Sequence, residues 1–117
     1  MYYSLKDRKA QLKELKAALE ELLPVVAGLS DYADSVESYR AALVSACALL
    51  ENGFTQEQAM SVGKSVPDMF YRHKDWVPPS RTGADGAPHE EEWFVRAEPK
   101  LQAVLAAAGR LAALGFY

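Results

Sequence analysis

The sequence predicts an all-α protein, a small helical bundle of four to five helices led by a long heptad-patterned N-terminal helix. Three observations carry that prediction. Ala and Leu, which lead the helix scale, fill 33 of the 117 positions. Against them stand nine Val, two Thr and no Ile, too few β-branched residues for a mainly β fold. Near the N-terminus, apolar residues recur with a helical period instead of alternating. A chain of 117 residues has room for one core, so a single domain over 1–117 is expected.

The first helix is the clearest. Leu5, Leu12, Leu15, Leu19, Leu22 and Val26 are spaced 7, 3, 4, 3 and 4, a heptad seam with Arg8 in its one missing slot. Its charges run basic first and acidic later, against the helix dipole, so packing along the seam must hold it. Pro24 predicts a kink or an early end, and Gly28 a terminator. Ser30 or Asp31 is expected to cap a second helix reaching about Asn52. There Tyr32, Val36, Tyr39, Leu43, Ala46 and Leu50 repeat at 4, 3, 4, 3 and 4. Val44, Cys47 and Leu49 widen that face, which suits a helix buried on more than one side.

Asn52 and Gly53 predict a stop, and Thr55 with Gln58 forms a capping box for a short third helix, Gln56 to about Lys64. Ser65 as cap, with Pro67 in the first turn, predicts a fourth helix carrying Met69, Phe70, Tyr71 and Trp76. Residues 77–88 are rich in Pro, Gly and Ser and read as a mobile loop. The run from Pro88 to Glu92 marks another helix start, since carboxylates favour the positive helix end. Pro99 is expected to divide it from an Ala-rich helix over about 99–114.

Bulk properties exclude several function classes. The net charge of −3 supplies no basic field for nucleic acid or anionic lipid. Cys47 is the only cysteine, so no internal disulfide forms, which fits a reducing compartment. Charges at Lys6 and Asp7 stand where a signal peptide needs apolar residues. The longest uncharged apolar-looking stretch, Ala41 to Leu50, is too short to span a bilayer. A cytoplasmic protein without a membrane partner is the expectation.

No catalytic constellation emerges. Gly63, Lys64 and Ser65 match the end of a phosphate-binding loop, but Gln58 replaces the glycine that such a loop needs. His73 with Asp75, and His89 with Glu91 and Glu92, fall short of a metal pattern. Cys47 lies among Ala and Leu, where a thiol behaves as a small apolar group. We therefore expect a protein that is not an enzyme, with no catalytic residue, no cofactor and no metal.

Two surfaces are candidates for binding. Tyr71, Trp76, Trp93 and Phe94 form either an anchor for a protein partner or the closure of a small core. Residues 55–76 resemble a helix-turn-helix motif, with Ala59 and Gly63 at its small positions and Val62 and Met69 at packing positions. That resemblance implies DNA binding by a recognition helix capped by Ser65, with Lys64, Tyr71, Arg72, His73 and Lys74 facing the duplex. Gln58, Lys64 and Arg72 depart from it, standing where the motif has apolar residues. The leading expectation is an interaction module of the adaptor, inhibitor, immunity or assembly type. It would bind a protein partner through its helix faces. A homodimer is favoured, with the first helix serving both core and interface. DNA binding through 55–76 is the alternative.

Overall fold

The computed structural model describes residues 3–70, 72 and 74–113. They form a predominantly all-α structure with four α-helices: α1 (Leu5–Val26), α2 (Ala33–Asn52), α3 (Gln56–Lys64) and α4 (Glu92–Ala112). A single 3-10 turn at Ser30–Tyr32 leads into α2, and a small hairpin of β1 (Ser80–Thr82) and β2 (Pro88–Glu90) precedes α4. The molecule measures 54 × 27 × 19 Å. Its thinnest dimension holds about two layers of helices, at roughly 10 Å per layer, so an outer helix is covered on one side only.

α1 packs most extensively on α4 and next on α2. Ser4 and Asp7 close a capping box at its start. The Ser4 backbone N–H hydrogen-bonded to Asp7 holds that carboxyl below its ordinary value. Leu12, Leu15, Leu19, Leu22 and Val26 are all fully buried, as the seam predicts. Leu5 alone lies outside, 58% exposed. The helix runs through Pro24 and ends two residues later. Gly28 is not a left-handed stop, since only Gly53 and Gly86 have positive φ among the described residues.

The turn between α2 and α3 follows the sequence closely. Gly53 takes φ 86°, a conformation that glycine permits, and Thr55 and Gln58 complete the capping box. α3 then crosses α4 at very short range. A Cβ on Gly63 would lie 2.6 Å from both the Ala108 oxygen and the Ala112 nitrogen, so only glycine fits there.

Four expectations need correction. No helix follows Ser65: the described residues from Val66 to Pro79 are irregular. Ser65 turns its hydroxyl back to the Val62 carbonyl, and Asp68 accepts the Phe70 backbone N–H two residues on. Such local side-chain bonds compete with the helical ladder, and Pro67 disfavours helix at Val66. The Tyr39 hydroxyl then fastens the segment by donating to the Pro67 carbonyl at 2.7 Å. Burial pushes that phenol well above its usual range.

Second, residues 77–88 are not simply loop. They contribute β1 and the first residue of β2, paired Ser80 with Glu90, Arg81 with His89 and Thr82 with Pro88. Third, Pro99 does not break α4, and the helix starts at Glu92. Proline removes only the bond to the Val95 carbonyl, and both residues lie on the exposed side, where solvent can take that oxygen. Finally, α2 is preceded by the 3-10 turn, and its cap residue, Tyr32, makes no side-chain cap bond.

Candidate interaction surface

Three of the four candidate aromatic residues, Trp76, Trp93 and Phe94, meet in one cluster. Phe70 stands at its centre, with ring centroids 5.4 Å from Tyr32, 5.6 Å from Trp76, 6.2 Å from Trp93 and 5.3 Å from Phe94. Trp76 and Trp93 are each a further 6.1 Å from Phe94. Phe94 is buried, while Trp76 and Trp93 are half-buried against the core. These rings join the irregular segment, the start of α2 and the start of α4, so they close an end of the core. Tyr71 lies outside the described residues.

Arg72 locks that closure from outside. Its Nε donates to Asp68 at 2.8 Å, its terminal nitrogens reach Glu98 at 2.8 and 3.0 Å, and its plane lies over Phe70 and Trp76. Hydrogen bonding to Glu98, aided by Asp68, raises the guanidinium further above its ordinary value. Burial pushes the Glu98 carboxyl up, but bonds from Arg72 and Gln102 outweigh it and hold the group below its usual value.

Of the other basic residues in the motif, Lys64 ends α3 and Lys74 lies in a turn; both are exposed. His73 lies outside the described residues. The structure therefore does not gather Lys64, Arg72 and Lys74 on one helix, and Arg72 already serves two carboxylates. The described residues of the expected recognition helix are not helical.

The outer side of α2 is a different matter. Residues 41–50 contain no charge, yet only Ala42 and Ala46 among them are buried. Leu43, Cys47, Leu49 and Leu50 are half-buried; Ala41, Val44, Ser45 and Ala48 are exposed, Val44 by 69%. Beside Val44, the residues Ser45, Ala48 and Leu49 of α2 and Gln58, Ser61 and Val62 of α3 line a groove of about 260 Å³. The sequence marks this stretch as apolar, with Val44, Cys47 and Leu49 suiting a helix buried on more than one side. It does not mark it as a surface, because which side is covered depends on how α1 and α3 lie.

A larger depression of about 510 Å³ sits at the start of α2, lined by Ser30, Asp31, Tyr32, Ala33, Asp34, Ser35 and Met69. Its ionisable groups are the carboxylates of Asp31 and Asp34 and the Tyr32 phenol. Among the described residues no histidine or cysteine lines it to pair with them. Among the described residues no group of three or more His, Cys, Asp or Glu converges as metal ligands would. No described helix is long and apolar enough to cross a membrane.

Comparison with protein-family models, with curated proteins and with solved structures found no match for this chain.

Proposed function

We propose that this chain is a non-enzymatic helical interaction module that binds a protein chain through the outer face of α2 and the groove that α3 adds to it. One observation supports the reading above the others: ten consecutive uncharged residues of α2, of which the fold buries two. Water is a poor neighbour for such a face, since covering a large aliphatic side chain gains about 1.5–3 kcal/mol. The groove beside Val44 supplies shape for an apolar side chain of the partner. α2 is preferred to α1, whose seam is buried inside the fold and whose exposed side carries Lys9, Lys13, Glu14 and Glu21. The DNA alternative draws no support from the fold, since the described residues between 66 and 79 supply no helix to enter a groove.

The test is a photo-crosslinking amino acid placed at Val44 and, for comparison, at Ala106 on the exposed side of α4. We expect discrete protein adducts from position 44 and none from 106, and loss of the adducts when Ala48→Glu is added. Adducts equal at both positions, or absent at both, would overturn the reading.

A further inference from the structure

The occupant of the α2 face follows from how its features are arranged, given the interaction reading above. At 100° per residue, Glu37, Arg40, Ala41, Val44, Cys47, Ala48 and Glu51 fall within about 120° of the helix circumference. Tyr39, Ala42 and Ala46 are buried on the other side. A projecting apolar side chain, Val44, therefore sits one turn from Ala48, which lines the groove. Knob and recess belong to the same surface of the same chain.

We propose that a second copy of this chain covers α2, with two α2 helices packed antiparallel about a two-fold axis that crosses the outer face at the level of Ala46 along the helix. In that register Val44 lies against Ala48 of the partner subunit, at the mouth of the groove, and the symmetry repeats the contact. Such self-complementarity is what an isologous interface requires. The charges select the direction. Arg40 and Glu51 bracket the uncharged stretch on one flank of the face. Antiparallel pairing sets Arg40 beside Glu51 of the partner subunit twice, whereas parallel pairing would set like charge against like.

Both residues are available. Arg40 has only a long, exposed contact to Glu37 at 3.7 Å, and Glu51 has no ion-pair partner among the described residues. The exposed small residues Ala41 and Ala48 on that face let the two backbones approach closely, toward the short end of the roughly 8–10 Å range of helix packing.

Sedimentation equilibrium of the full chain tests this. The wild type should give the dimer mass at high micromolar concentration, and Ala48→Glu the monomer mass. Arg40→Glu should weaken the dimer about ten-fold, the equivalent of 1.4 kcal/mol spread over two charge pairs. Adding Glu51→Arg to it should restore the affinity. Ala106→Glu on α4 should leave the dimer unchanged. All these positions are exposed, and unchanged helical circular dichroism checks that each variant is folded. A monomeric wild type, a dimer indifferent to Ala48→Glu, or a charge reversal that fails to restore pairing would overturn the proposal. A monomeric wild type whose position-44 adduct is a different protein would overturn self-pairing alone. A monomer without any adduct would remove the interaction reading as well.

Discussion

Replacing Arg8 with alanine is expected to destabilise the fold by several kcal/mol, about 1–3 kcal/mol for each buried acceptor left without its donor. Arg8 is fully buried and occupies the slot that the leucine seam leaves empty. Its guanidinium donates to the carbonyls of Arg110, Leu111 and Ala113 at 3.0–3.2 Å, and to the side chains of Gln11 and Gln56 at 3.1 and 2.8 Å. None of these acceptors is a carboxylate. The positive charge is met instead by the end of α4, where carbonyls without helical partners concentrate the negative end of the dipole. The Tyr3 ring lies 4.8 Å from the guanidinium carbon.

One side chain thus satisfies the last turn of α4, the start of α1 and the start of α3 together. Alanine would remove the donor shared by those five oxygens, of which the Gln11 and Leu111 contacts are buried, and Lys, with a single nitrogen, cannot span all five. Urea denaturation of Arg8→Ala and Arg8→Lys measures the effect. A midpoint equal to wild type in both would show that this network contributes nothing to holding the three helices.

Leu15→Ala and Leu19→Ala are each expected to cost about 2–5 kcal/mol, the loss of transfer energy plus the cavity left behind. Both side chains are fully buried on the face of α1 that meets α2 and α4. Leu5 belongs to the same repeat but is 58% exposed, so Leu5→Ala should change stability by only about 0.5 kcal/mol or less. Thermal melts of the three variants check this. Equal losses at Leu5 and Leu15 would mean that the seam is buried differently.

How legible each element was depends on where its determinants lie. The α1 seam and the turn at Asn52 to Gln58 could be read because their signals, period and capping, are local. Arg8 was visible only as a gap, since its acceptors on α4 lie more than 100 residues downstream. The helix expected after Ser65 failed for the opposite reason. Local caps favoured it, but Asp68 took the Phe70 N–H, and Tyr39, from another helix, took the Pro67 carbonyl. The hairpin was missed because three-residue strands at Ser80–Thr82 and Pro88–Glu90 leave no periodic trace. Among the candidate binding residues, Trp76, Trp93 and Phe94 could be read as a group from their type, whereas the packing of all three around Phe70, with Arg72 over Trp76, could not. The α2 face was half legible: the absence of charge could be read, the absence of a neighbour could not.

The most direct test is a paired measurement on Val44→Glu, its thermal stability and its capacity to associate. At dilutions where the wild type is also monomeric, Val44→Glu is expected to melt close to wild type, because Val44 is 69% exposed and contributes little to the core. At high concentration it is expected not to associate. A lowered melting temperature with association intact would contradict the account, since Val44 would then belong to the core and the partner would bind elsewhere.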